Sequence, residues 1–219
     1  MSIEDKYDLT REILEWLQTM VHDELSKSPK IVGIVHSVKS RIKSKKSLLE
    51  KIDRKRSEGK EINEENLFKK ITDLVGVRVL ILFPQHFKNI HGFIKFMEES
   101  GRWTLVESPK VYTWDDDLKK FFLNVGIDKQ EFKESLYTSV HYIVKINNEE
   151  DTPCCEIQVR TLFEEVFGEV DHKINYPIEC SDEIKKNQLK TLSKFVAAGT
   201  KLLETIYLNQ ENPQCHTPE

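Results

Sequence analysis

The chain is poor in cysteine, with four among its 219 residues, and their spacing excludes the common cysteine-based sites. Cys154 and Cys155 are adjacent, so on a strand their side chains point to opposite faces and form no standard bridge. Cys180 and Cys215 are isolated, and no Cys-x-x-Cys pair indicates a zinc site. This usage predicts a reduced, cytoplasmic protein.

Long apolar runs, internal repeats and low-complexity segments are also missing. No segment has the length that crosses a bilayer, and the first residues do not resemble a signal peptide, so we expect no membrane partner. Apolar residues make up 38% of the chain and charged residues 32%, which is typical of a soluble globular protein. A chain of 219 residues is long enough for one domain with a sizeable core.

Neither sign of charge dominates the chain, because the formal net charge is only -4. This excludes a general binder of polyanions. The region from Lys39 to Arg56 differs, since it contains nine Lys or Arg and only two acids, Glu50 and Asp53. Such a basic element predicts a local phosphate site, and the alternative is a solvated helix face.

Hydrophobic periodicity predicts helices and strands in alternation. Predicted helices cover residues 5–24, 47–57, 64–71, 86–99, 116–123, 161–174 and 182–208. Predicted strands cover residues 31–43, 77–83, 103–107, 138–147 and 154–160. The pattern indicates an α/β (α+β) fold, a mixed sheet flanked by helices. We divide the one globular unit into an N-terminal helix at 1–30, a central domain at 31–176, and a C-terminal helix and tail at 177–219.

The two terminal helices carry broad apolar stripes. The first is formed by Leu9, Ile13, Trp16, Leu17, Met20 and Val21, and the last by Leu189, Leu192, Phe195, Val196, Leu202, Leu203 and Ile206. These stripes predict either packing on the protein's own sheet or an interface between subunits of a homo-oligomer.

The first chemical motif is Arg41-x-Lys43-x-x-x-Ser47-x-x-x-Lys51. On a strand, Arg41 and Lys43 point to the same face. Ser47-Leu48-Leu49-Glu50 matches a capping box, which predicts a helix start at Ser47 with Lys51 one turn later. A helix N-terminus, a guanidinium and two ammonium groups at one place favour phosphate binding.

Two carboxylates mark strand boundaries. Asp73 precedes the strand at 77–83, and Glu156 lies within the strand at 154–160 among apolar neighbours. Two such acids on adjacent strands are able to hold one Mg²⁺ ion and leave ligand positions for phosphate oxygens. Either one alone is also typical of a turn or a surface. Gly76 either permits close approach of a ligand or shapes a turn.

A third set of side chains alternates along one strand. Tyr137, Ser139 and His141 share one face, which suits stacking on a base and contact with its phosphates, although such a stripe is more often structural. His172, on the helix after Glu156, is either a ligand-binding or a core histidine.

Taken together, the motifs resemble the synthetase domain of the RelA/SpoT alarmone synthetase family. The resemblance runs from Ile31 to Tyr176 and rests on the Arg41 motif, on Asp73-Leu74-Val75-Gly76-Val77-Arg78 and on Glu156-Ile157-Gln158-Val159-Arg160-Thr161. It indicates a small single-domain member with a nucleotidyltransferase-like fold. The implied reaction is attack of a guanosine nucleotide's 3′-hydroxyl on the β-phosphorus of ATP, which makes (p)ppGpp and releases AMP.

The resemblance also implies residue roles. Arg41 and Arg78 would sandwich the adenine of ATP, and its phosphates would be held by Lys43, Ser47 and Lys51. Asp73 and Glu156 would be the catalytic pair that binds Mg²⁺, with Glu156 also orienting or deprotonating the attacking hydroxyl. The acceptor would be held by Tyr137, Ser139, His141, Gln158, Arg160 and His172.

One departure from the family pattern concerns the acceptor. The family has Gly immediately before the Tyr, whereas this chain has Leu136, which does not adopt positive φ as Gly does. The departure leaves GDP, GTP and the 3′ end of tRNA open as acceptors, the last being the substrate of toxin-type relatives that have an antitoxin partner. A non-catalytic nucleotide-binding module is the remaining alternative.

Overall fold

A mixed sheet of seven strands lies at the centre of the computed structural model, which describes residues 1–131, 138–146, 151–176 and 180–211. The strands are β1 (Val35–Ile42), β2 (Val75–Ile81), β3 (Thr104–Leu105), β4 (Lys110–Tyr112), β5 (Lys129–Glu131), β6 (Ser139–Lys145) and β7 (Cys155–Thr161). Their order is β1-β2-β7-β6-β4-β5, with β3 paired to β6. The predicted fold class, a mixed sheet flanked by helices, is confirmed.

The sheet mixes strand directions at its centre. β2 and β7 are parallel, whereas β1 pairs with β2, and β6 with β7, in antiparallel register. Val77, Val79, Ile157 and Val159 are buried in the main apolar core, and the residues between them carry polar or charged side chains. This period of two gives the sheet one apolar face and one polar face.

The helices are α1 (Ile3–Leu9), α2 (Arg11–Lys27), α3 (Lys45–Ser57), α4 (Leu67–Lys70), α5 (Phe87–Glu99), α6 (Asp116–Asn124), α7 (Leu162–Asn175) and α8 (Glu183–Glu211). Among the residues that the structure covers, no helix combines the length and the apolar character that crossing a bilayer requires. The predicted helices at 86–99, 161–174 and 182–208 correspond to α5, α7 and α8.

The predicted N-terminal helix is wrong in two respects. It is divided at Thr10, whose hydroxyl donates to the Lys6 carbonyl (2.6 Å), into α1 and α2. Its buried face is formed by Leu14, Leu17, Val21 and Leu25, with the spacing 3-4-4, while three residues of the expected stripe are exposed: Leu9, Ile13 and Trp16. Two apolar rows share this helix, and only contact with the sheet distinguishes them.

The predicted capping box at Ser47 is also wrong. Ser44 is the N-cap of α3, and its hydroxyl oxygen accepts the backbone N–H of Ser47 (3.2 Å). Either serine has the chemistry of a cap. The chain leaves β1 at Ile42, so the helix starts at Lys45 and Ser47 lies within its first turn.

The segment 108–131 contains more structure than its sequence pattern suggested. The predicted helix from Asp116 is confirmed, with Asp115 Oδ1 accepting the backbone N–H groups of Asp117 (2.9 Å) and Leu118 (3.1 Å). The short strands β4 and β5, three residues each, were missed because they are too short to show periodicity. Tyr137 and Leu136 lie outside the described residues. The domain divisions at 30 and 176 stay predictions.

Candidate active site

Two adjoining cavities open on the polar face of the sheet. The first has a volume of about 220 Å³ and is lined by Lys39, Ser40, Arg41, Asp73, Gly76, Val77, Arg78, Glu156, Gln158 and Glu169. The second has a volume of about 420 Å³ and is lined by Arg41, Arg78, Gln158, Arg160, Gly168, Glu169, Asp171, His172, Asn175 and Tyr176. Four residues are common to both: Arg41, Arg78, Gln158 and Glu169.

Strand register places the predicted residues side by side. Arg41 is opposite Gly76, which is opposite Glu156. One row further along, Lys39, Arg78, Gln158 and His141 are paired across β1, β2, β7 and β6. Residues paired in this way point to the same side of a sheet. The separate sequence motifs therefore form one surface.

Gly76 lies within β2 and not in a turn. A Cβ atom there would be 3.8 Å from Arg41 Cγ, which is ordinary contact, so the protein's own packing does not require glycine. Its lack of a side chain leaves space in the first cavity, between Arg41 and Arg78.

Asp73 is held by two lysines of the first motif. Its Oδ2 is 2.7 Å from Lys51 Nζ and 3.1 Å from Lys43 Nζ. Its Oδ1 is buried, and no described residue donates a hydrogen bond to it. An orphaned carboxylate oxygen is costly in a folded protein, so this atom is suited to a ligand.

Each carboxylate oxygen of Glu156 has one side-chain partner, which leaves a further lone pair on each oxygen. Gln158 Nε2 donates to its Oε2 (2.8 Å), and His141 Nδ1 is 3.2 Å from its Oε1. Burial raises the pKa of Glu156, but His141, Gln158 and the charge of Lys51 outweigh burial and lower this pKa to about 2. Glu156 is therefore ionised at neutral pH, and it is better suited to holding a cation or accepting a hydrogen bond than to taking up a proton.

Among the described residues, five of the predicted site residues are outside the two cavity walls: Lys43, Ser47, Lys51, Ser139 and His141. Lys43 and Lys51 contact Asp73, as given above. Ser139 is buried, and its hydroxyl donates to the Val159 carbonyl (3.3 Å), a contact within the sheet. Ser47 lies on α3, where Ser44 Oγ donates to its hydroxyl (3.0 Å). His141 reaches the first cavity through Glu156 and packs edge-on against the Tyr112 ring, with centroids 4.7 Å apart. Their substrate contacts stay predictions.

His172 lines the second cavity together with the predicted Gln158 and Arg160. Its ring stacks on Tyr176, with centroids 4.6 Å apart and planes 15° apart. His172 is also exposed, so the alternative of a core histidine is wrong.

Sequence reasoning missed Glu165 and Glu169 on α7. Arg78 Nη1 donates to Glu165 (2.9 Å) and to Glu169 (2.6 Å). The available signal was their spacing, because Glu165 follows Thr161 by four residues and Glu169 follows Glu165 by four. On a helix this spacing puts both acids on one face, here the face of α7 that meets the sheet. Lys110 and Tyr112 of β4 line neither cavity, although Lys110 pairs in register with His141.

Comparison with known proteins finds one matching family model, described as a region found in RelA / SpoT proteins, over residues 40–180. GTP pyrophosphokinase YwaC of Bacillus subtilis (strain 168) is 26% identical over 158 residues. That alignment covers 69% of this chain and 66% of the relative, just under two thirds of its length.

Solved structures of other proteins share the fold. Small alarmone synthetase 1 of Bacillus subtilis, bound to its product pppGpp, matches with a TM-score of 0.65 at 21% identity, covering 95% of this chain and 98% of the other. A GTP pyrophosphokinase family protein from Streptococcus pneumoniae matches with a TM-score of 0.67 at 19% identity, covering all of both chains.

Proposed function

The chain belongs to the family of RelA and SpoT proteins, and from this we propose that it is a small alarmone synthetase, an ATP-dependent GTP pyrophosphokinase. It transfers the β,γ-pyrophosphate of ATP to the 3′-hydroxyl of GDP or GTP. The acceptor oxygen forms a bond to the β-phosphorus, the bond between this phosphorus and the α,β-bridging oxygen breaks, and AMP leaves with that oxygen. The hydroxyl proton passes to solvent.

The observation that carries this proposal is the pair of adjoining cavities with shared walls. A transfer between two nucleotides requires both to be held with the reacting atoms in contact, and positioning supplies much of the rate in phosphoryl chemistry. Arg41, Arg78, Gln158 and Glu169 face both cavities, and Glu156 lies in the wall of the first beside Gln158.

The first cavity is proposed as the ATP site. Arg41 and Arg78 flank the open floor at Gly76, where their guanidinium groups are suited to the two faces of an adenine. Lys43 and Lys51 converge at Asp73, and with Ser47 they would hold the phosphates. Both lysines already have a carboxylate partner, which keeps them ordered before the nucleotide binds.

Asp73 and Glu156 are proposed to hold Mg²⁺. The orphaned Oδ1 of Asp73 and the ionised carboxylate of Glu156 fit such an ion. Within the described ranges, no cluster of three or more His, Cys, Asp or Glu side chains is suited to a metal, so the other ligands would be phosphate oxygens and water, as Mg²⁺ prefers. When bound, the ion supplies neutralisation of the charge on the transferred phosphates.

The second cavity is proposed as the acceptor site. Its carboxylates, Glu169 and Asp171, are hydrogen-bond acceptors, and Asn175 Nδ2 fixes Asp171 by donating to its Oδ1 (2.8 Å). Guanine presents two adjacent N–H donors that match a carboxylate, whereas the 3′-terminal adenosine of tRNA does not. This cavity therefore favours GDP and GTP over tRNA.

The test is to offer ATP labelled in its β- and γ-phosphates together with GDP, GTP or deacylated tRNA in parallel. We expect AMP and a labelled guanosine nucleotide. The Glu156→Gln variant should bind ATP but lose about 10²–10³-fold in turnover, because it loses a charge at the reacting centre. Glu98→Gln, in an ion pair on α5, is the matched control and should behave as the wild type. Label on the RNA alone, or no AMP with any acceptor, would contradict the proposal.

A further inference from the structure

One buried carboxylate is held by cations from three different strands. Glu165 on α7 is only 8% exposed, and its Oε1 accepts from Lys39 Nζ of β1 (2.9 Å) and from Arg78 Nη1 of β2 (2.9 Å). Its Oε2 pairs with Arg160 Nη2 of β7. We call these four residues the Glu165 cluster. Burial raises the pKa of Glu165, but the three cations outweigh burial and lower this pKa, so the group is ionised at neutral pH.

The three cations divide between the two cavities. Lys39 lines the first, Arg160 lines the second and Arg78 lines both, whereas Glu165 itself lines neither. Glu165 therefore lies behind the cavity walls, on the α7 side, and reaches bound molecules only through the side chains that it holds.

Arg160 is seated by a second feature of α7. The Arg160 side chain is 2% exposed, and a Cβ atom at Gly168 would overlap its Nη1. Glu165 and Gly168 are three residues apart, on the same helix face, so one turn of α7 supplies both the carboxylate and the space for this guanidinium.

Helix attachment alone does not explain the cluster. Removing charges from water costs free energy that can exceed their attraction, and apolar side chains often join two elements at least as well. The exposed Arg41, on the opposite side of Gly76, has no ion pair or hydrogen bond with any residue in the described ranges, whereas Arg78 is held by two carboxylates. The cluster thus fixes one of the two flanking arginines in advance.

We propose that Glu165 is a positioning residue that orders Arg78 for the donor and Arg160 for the acceptor, so that one carboxylate prepares both substrate sites. The inference rests on the proposed function for the identity of the two ligands. Ordering these long side chains before binding removes part of the entropy that each substrate would otherwise lose.

The experiment compares Glu165→Gln, Glu165→Asp and the control Glu98→Gln with the wild type. Titration calorimetry measures binding of the α,β-methylene analogue of ATP and, separately, of GDP, while steady-state kinetics gives KM and kcat for both substrates. For Glu165→Gln we expect both dissociation constants and both KM values to rise by about tenfold, with a smaller change in kcat. Glu165→Asp keeps the charge on a shorter side chain, so its values should lie between those of the Gln variant and the wild type.

Three results would overturn the inference. A purely structural role would lower the melting temperature and the maximal velocity while both KM values stay unchanged. A rise for one ligand alone would remove the link between the sites. If Glu165→Gln does not fold, the Glu165→Asp variant decides the question. Dissociation constants for this variant that equal those of the wild type would also overturn the inference. Binding of the ATP analogue is measured without an acceptor, so it tests the role of Glu165 separately from the transfer reaction. The expected change in binding can be absent while the wild type still transfers pyrophosphate, and it can be present while the wild type does not.

Discussion

Neighbouring carboxylates on α7 have opposite electrostatic environments. Glu165 meets three cations, which lower its pKa, whereas burial raises the pKa of Glu164 to about 7. Glu164 Oε2 accepts the backbone N–H of Thr161 (2.8 Å) and completes a capping box at the start of the helix. Adjacent helix positions differ by about 100°, so one acid faces the polar wall of the site and the other faces the interior.

The Glu164→Gln variant should be more stable than the wild type at pH 8, by about 1–3 kcal/mol. The folded-state pKa of Glu164 is raised, so its favourable contribution is complete below its ordinary pKa of 4.5 and is lost as the pH rises through about 7. Gln has no charge to bury at any pH and keeps the oxygen that accepts from Thr161.

Denaturant unfolding of both proteins at pH 5 and pH 8 measures this effect. The advantage of the variant should be small at pH 5 and should grow by pH 8. An advantage that is the same at both pH values would show that Glu164 is not the group that titrates. Glu98→Gln on α5 serves as the reference for loss of a carboxylate.

At the scale of elements, the pairing of β2 with β7 carries the site. These parallel strands place Gly76 beside Glu156 and Arg78 beside Gln158, although 80 residues separate each pair. α7 follows β7 directly and lays its polar face along both cavities. The site is therefore assembled by a strand pair and one helix, and shifts of α7 should alter the second cavity first.

The Gly168→Ala variant tests this dependence on α7. A methyl group would overlap the buried Arg160 guanidinium, and overpacking of this kind costs about 1–3 kcal/mol. We expect the KM for GDP to rise by roughly tenfold and the KM for ATP to change much less, because Arg160 lines only the second cavity.

Gly92→Ala is the matched control for this substitution. Gly92 is an exposed position of α5, and a Cβ atom there would have no atom within 4 Å. Its KM values should equal those of the wild type, with stability equal or slightly higher because Ala favours helix. If the KM for GDP is the same in Gly168→Ala and in the wild type, the space at Gly168 does not position the Arg160 guanidinium for the acceptor.

At the scale of the whole molecule, the N- and C-terminal helices keep a second apolar row on the outside. The exposed row near the N-terminus is formed by Leu9, Ile13 and Trp16. The exposed row on α8 includes Phe195 and Leu202. The opposite faces of the same helices pack inward, through Leu17 and Val21 on α2 and through Leu189 and Val196 on α8. Two predictions remain, a homo-oligomer formed through these helices and an antitoxin partner. The mass measured by sedimentation decides whether the chain forms a homo-oligomer.

Nucleotide binding should stabilise the entire domain. At a concentration of ATP with Mg²⁺ about one hundred times its dissociation constant, the expected gain is about 2.7 kcal/mol, or a rise of roughly 5–10 °C in Tm. Chelating the ion with EDTA should reduce the shift. Asp73→Asn should reduce the shift that is measured with Mg²⁺ present, since Asp73 Oδ1 is the proposed ligand atom. A shift that EDTA leaves unchanged would argue against Asp73 and Glu156 as a metal site.

Much of the fold was predictable from local pattern, because periodicity is a local property. The strands β2, β6 and β7 and the helices α5, α7 and α8 are long enough to show it. Short elements such as β4 and β5 are too short to show periodicity. Ser44 and Ser47 have equal capping chemistry, so local pattern does not reveal which of them caps the start of α3. The motif residues Arg41, Asp73, Arg78 and Glu156 line one cavity, as expected from a pattern that a family shares, and their roles stay predictions.

The sequence alone was enough to indicate the fold class and the family, since each depends on residue type and on spacing along the chain. Only the tertiary structure shows that Glu165 contacts Lys39, 126 residues away, and that Arg78 lies between two cavities. Such contacts arise from strand register and from the angle at which α7 crosses the sheet. Neither is encoded in a local pattern, because both result from how the whole core packs.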